Sequence, residues 1–153
     1  MGYPREFFPG GGPVVQKIGH DEWCLAETFR YRIAGSADNE IAVPAGFICD
    51  GASIPWGLYN LMRPEGDLFP AGVVHDYLYR RKTPAGYVPP TRQEAERLQA
   101  EGVELGHFIR TGEPITRAEA DGILYHVGID SGAAWWQCRA AWIGVRIGGW
   151  ASW

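Results

Sequence analysis

The stretch that most constrains this chain runs from residue 43 to residue 79, opening with VPAGFICDGASIP and closing with VVHDYLY. It sets Asp50, Ser53, His75 and Asp76 among apolar neighbours, and polar groups in such company are either satisfied inside a fold or used by it. In the first segment Asp50-Gly51 is a turn signal. Ser53, followed by Ile54-Pro55, reads as a helix N-cap with proline in the first turn. A short helix over Trp56 to Met62 is predicted to break at Arg63-Pro64-Glu65-Gly66-Asp67. The second segment belongs to a helix predicted over Phe69 to Arg81, with Val73, Val74, Tyr77 and Leu78 on an apolar face that packs rather than faces water.

Upstream, residues 1–13 hold Pro4, Pro9, Gly10, Gly11, Gly12 and Pro13, which cannot sustain a helix, together with Tyr3, Phe7 and Phe8. They predict an irregular arm that packs on its own domain or on a neighbour. From Val14 to Val43 the runs VVQKI, EWCLAE, TFRYRI and EIAVP are strand-like. Phe29, Tyr31 and Ile33 alternate with Thr28, Arg30 and Arg32, as expected of strands with one wet face. Val43-Pro44 ends the last of them, and Gly46 allows a tight turn into Phe47.

Downstream, TPAGYVPP at residues 83–90 reads as a proline-rich loop. Thr91 with Glu94, and again Thr116 with Glu119, form capping boxes that start helices. The first extends to Leu105 or Ile109; the second passes through Asp121, Leu124 and Tyr125. A further helical stretch, Ser131 to Val145, is crowded with alanine and tryptophan. Its small residues predict close helix approach, with Trp135, Trp136 and Trp142 filling the remaining space. Strands first and helices after predict an α+β fold: a small N-terminal antiparallel β-meander packed against a C-terminal bundle of about four helices. The arm of residues 1–13 precedes a single globular domain over 14–153.

Composition narrows the function classes. The net charge of −4 and the scattered basic residues, densest at Arg80-Arg81-Lys82, disfavour nucleic-acid binding driven by phosphate neutralisation. Cys24, Cys49 and Cys138 lie far apart without a CxxC partner, which argues against a zinc finger or disulfide scaffold and fits a reducing compartment. No apolar run of about 18 residues predicts a membrane span, and the N-terminus lacks the order of a signal peptide, so the mature protein is expected to be the whole chain.

The segments VPAGFICDGASIP, HDYLY, AEADGILYHVG and AAWIGVRIGG, in that order, resemble the phage and prophage family known as domain of unknown function 1353. The likeness covers about residues 40–148. It implies a phage-associated origin, with action in the host cytoplasm during phage production or within the virion, and no established activity. The N-terminal arm and the long Lys82–Glu101 segment depart from the family pattern. HDYLY is also similar to the His-Asp helix of the secreted phospholipases A2, whose disulfides and glycine-rich calcium loop this chain lacks.

Asp50, His75, Asp76 and Asp121 supply the ligand types of a divalent metal with oxygen and imidazole donors. Adjacent His75 and Asp76 point about 100° apart on a helix, so both reach one ion only where the helix presents its edge. A metal-free reading makes His75 the general base, oriented by Asp50 or Asp121, with Ser53 or a water as nucleophile. A third reading makes the same groups a buried hydrogen-bond network, with Ser53 simply a cap. Tyr79, one turn beyond His75, is placed to orient it. Two functions follow: a hydrolase-like Asp/His site acting on the host cell envelope, or a non-catalytic virion or assembly protein. In the second, the aromatic termini, including Trp150 and Trp153, contact phage structural proteins or further copies of the chain.

Overall fold

The computed structural model of the protein describes residues 2–20, 22–35, 40–49, 66–80 and 116–148, and the backbone of 82–83 and 86–87. The expected α+β class holds, with antiparallel strands preceding most of the helical chain. The strands are β1 (Val15–Gly19), β2 (Glu22–Leu25), β3 (Phe29–Arg32), β4 (Glu40–Val43) and β5 (Ile48–Cys49). They do not form one meander. β1, β2 and β5 make a three-stranded sheet in that order, while β3 pairs only with β4. The chain leaves the first sheet after β2, forms the β3–β4 hairpin, and returns through a turn at Gly46, whose φ of +86° suits glycine. That turn is fastened to β2 by Gly46 N–H donating to Leu25 O at 2.7 Å and Leu25 N–H donating to Phe47 O at 2.9 Å. A further two-stranded ladder, β6 (Lys82–Thr83) with β7 (Gly86–Tyr87), falls within the stretch expected to be loop.

β3 alternates as its sequence predicts, with Phe29 and Tyr31 buried and Arg30 and Arg32 partly exposed. β4 is buried throughout, and its Glu40 sits opposite Arg32, whose Nε donates to Glu40 Oε2 at 2.8 Å. The N-terminal arm supplies part of the same core. Phe8 is fully buried, stacked on Phe29 at 5.9 Å and tilted against Tyr31 at 5.5 Å.

Three helices occupy the described residues, not about four: α1 (Phe69–Arg80), α2 (Arg117–Asp130) and α3 (Trp135–Gly148). The helices expected from Trp56 and from Thr91 lie outside the described residues. α1 is buried on every side from Phe69 to Tyr79, so it is the central helix of the domain, with α2, β4 and β5 packed around it. α2 begins at the predicted capping box: Thr116 Oγ1 accepts from Glu119 N–H, and Glu119 Oε2 accepts from Thr116 N–H at 2.8 Å. Its buried stripe of Ala120, Asp121, Leu124, Val127 and Gly128 follows helical spacing. From its last residue Asp130 Oδ2 accepts a 2.7 Å hydrogen bond from the Tyr31 hydroxyl, tying the strands to the helices.

α3 starts at Trp135, four residues later than expected, because Ser131 closes α2 instead. The Ser131 hydroxyl lies 2.7 Å from Val127 O and 2.7 Å from Asp67 O, pinning the approach to α1. The indoles of Trp135 and Trp136 do not fill the interior; they are 69% and 55% exposed. The reason is the closeness of the α2–α3 contact. A Cβ on Gly128 would stand 2.8 Å from Cys138 Sγ and 2.9 Å from Leu68 Cδ2. Only Cys138, Ala141 and Val145 fit the inner face of α3, and the indoles are displaced outward. The three cysteines are free, two of them buried. No helix among the described residues is long and apolar enough to cross a membrane.

Two glycines of α2 should therefore respond oppositely to alanine. Gly128→Ala is expected to lower stability by about 1–3 kcal/mol through overpacking. Gly122→Ala, with no atom within 4 Å of the new methyl, should raise it by about 0.5–1 kcal/mol through helix propensity. Thermal unfolding of the two variants measures both signs.

Candidate functional site

α1 and α2 lie side by side and bring two of the predicted site residues together. His75 Nε2 is 2.8 Å from Asp121 Oδ1, and neither side chain has any solvent exposure. Tyr79, one turn along α1 from His75, donates its hydroxyl to the same Oδ1 at 2.6 Å, and its ring lies 4.0 Å from the imidazole centroid. Asp121 thus receives both groups from one face of α1, as i and i+4 positions allow. Asp76 is buried on α1 beside His75. Asp50 and Ser53 lie outside the described residues, as does His107. His126 is exposed on α2.

The other oxygen of Asp121 faces two guanidinium groups. Arg146, from the last turn of α3, donates Nη1 to Oδ2 at 3.1 Å, and Arg117, one turn before Asp121 on α2, holds Nε 3.7 Å from it. Arg117 also donates Nη2 to the carbonyls of Val145 and Arg146 at 2.7 and 2.6 Å, capping the end of α3 where helix carbonyls lack partners. Arg117 was legible as an i,i+4 partner of Asp121. Arg146, 25 residues away on another helix, carried no sequence signal.

Burial by itself raises the Asp121 pKa. Here the hydrogen bonds from His75, Tyr79 and Arg146 outweigh it and hold the carboxyl below the usual carboxylate range. The Tyr79 hydroxyl is pushed upward, first by burial and then by its bond to Asp121, so it remains a protonated donor. An ionised carboxylate only accepts, so His75 Nε2 must carry the proton of the 2.8 Å bond. In the neutral ring the lone pair then resides on Nδ1. That atom is buried and has no hydrogen-bond partner among the described residues.

The arrangement bears on metal binding. Both Asp121 oxygens are committed to donors, and two guanidiniums stand beside the carboxylate, a setting that repels a cation. Among the described residues no group of three or more His, Cys, Asp or Glu side chains is placed to hold a metal ion. The geometry makes Asp121 a group that orients His75 rather than a ligand.

Because folding lowers the Asp121 pKa, the ionised carboxylate contributes stability that is present above the unfolded value near 3.9 and is lost as pH falls through the lower folded value. Chemical denaturation between about pH 2 and 5 should show this loss. Asp121→Asn should flatten that part of the profile and cost about 3 kcal/mol at neutral pH, because the remaining donors face an amide instead of a charge.

No curated protein and no solved structure matches the chain. A family profile described as a protein of unknown function (DUF1353) matches residues 23–145. The matched span runs from β2 into the last turn of α3 and holds His75, Tyr79, Arg117 and Asp121, with Arg146 one residue beyond it. The chain belongs to the DUF1353 family of proteins of unknown function.

Proposed function

We propose that the protein is a small phage- or prophage-encoded hydrolase acting on the host cell envelope, with His75 as its general base. The observation that carries this reading is a buried histidine whose Nδ1 has no partner among the described residues and whose other nitrogen is fixed by a carboxylate. Asp121 sets the tautomer and orientation, Tyr79 and Arg146 keep Asp121 ionised and in place, and the free lone pair removes a proton from the nucleophile. That nucleophile is a water or Ser53. A divalent cation taking part in the reaction would be held by Asp50, His75 and Asp76, because the guanidiniums beside Asp121 repel one. The phage setting is supported by the motif resemblance.

The purified protein should hydrolyse peptidoglycan fragments, with kcat falling about 10²–10⁴-fold in His75→Gln. His75→Gln that unfolds normally and retains full rate overturns the assignment. Metal analysis of the same preparation tests the cation.

A second reading is favoured by the complete burial of His75 and Asp121: a virion or assembly protein in which the cluster only locks three helices together. It predicts the protein in purified particles, no hydrolysis of peptidoglycan fragments, and a loss of stability alone in His75→Gln.

A further inference from the structure

α3 presents an apolar stripe to solvent. Trp136, Ile143 and Ile147 fall on one line of the helix, opposite the buried Cys138, Ala141 and Val145, and are 55%, 43% and 72% exposed. Trp135, 69% exposed, flanks that line. An ordinary surface helix carries its charges there; this one is apolar on both sides, the mark of a helix face meant for a second apolar environment. On the shoulder of the stripe lies Arg139, whose guanidinium sits 5.1 Å from the Trp142 ring, next to Arg146, which is paired with Asp121. The helix WWQCRAAWIGVRIG contains no acidic residue, although the whole chain has a net charge of −4.

We propose that this outer face of α3 binds an anionic lipid surface. Three features select that occupant over a second copy of the chain. The exposed apolar area of the four side chains is on the order of 500 Å², within the range of the largest patch on a monomer and short of the roughly 800 Å² per partner in a standard protein interface. Indoles with one wet and one apolar side are suited to the headgroup boundary. Arg139 beside the stripe, on a helix without acidic residues, complements anionic headgroups, as in helices that lie in the membrane plane. This binding does not depend on His75 being a base.

The test is co-sedimentation of the full chain with unilamellar vesicles of phosphatidylcholine containing about a quarter phosphatidylglycerol, and with phosphatidylcholine alone. The wild type should pellet with the anionic vesicles and less with the neutral ones. The double variant Trp136→Glu, Ile147→Glu, whose positions are exposed and whose fold is verified by circular dichroism, should bind at least about tenfold more weakly. Arg139→Glu should weaken binding to the anionic vesicles only. His75→Gln should bind as the wild type does. Wild-type protein that stays in the supernatant with both vesicles overturns the proposal, as does a folded double variant that binds unchanged. So does sedimentation velocity showing a dimer that the double variant splits, which assigns the face to a second copy.

Discussion

A carboxylate with no exposure to water is the constraint around which the helical part of this protein is arranged. Asp121 cannot remain ionised in the interior unless its oxygens are met, and each helix contributes to meeting them: α1 through His75 and Tyr79, α2 through Arg117, α3 through Arg146. This explains why α1, buried on every side, still carries a histidine and a tyrosine hydroxyl on the face toward α2. Desolvation of the charge is offset by several charge-assisted bonds rather than by a single ion pair, which is how buried ions are tolerated.

The same arrangement depends on how closely α2 and α3 approach. Gly128 lets the Cys138 side chain sit against the α2 backbone, and the short distance brings the last turn of α3 within reach of Asp121. It also leaves no room for indoles between the helices. One packing decision therefore sets both the position of Arg146 and the outward placement of Trp135 and Trp136, so the polar cluster and the apolar outer face have a common origin in a missing methyl group.

Much of this was legible in the residues. The capping box at Thr116 and Glu119 fixes its helix by local hydrogen bonding, so the start of α2 agrees with expectation; the alternation in β3 and the apolar spacing in α1 are equally local. The pairing of His75 with Asp121 was open as one of several arrangements, because both residues were singled out by type and neither by a spacing that crosses 46 positions. What stayed hidden was set by tertiary packing. The division of the strands into separate sheets depends on which strand β5 returns to, and periodicity does not encode that. The burial expected of Trp135 and Trp136 rested on hydrophobicity, whereas volume decided the outcome. Arg146 carries no signal in the sequence, and only the fold places it against a carboxylate.

The bond from Tyr31 to Asp130 joins residues 99 positions apart, and Phe8 is locked under the same tyrosine at the start of the chain. A nascent polypeptide emerging from the ribosome thus exposes the strand-forming half, with its aromatic interior, well before the helix that completes it has been synthesised. Closing a loop of this length is a non-local step whose entropy is offset only once α2 has arrived. It also means that no cut between the β3–β4 hairpin and α2 yields two autonomous pieces, since each would leave half of a shared interior open to water.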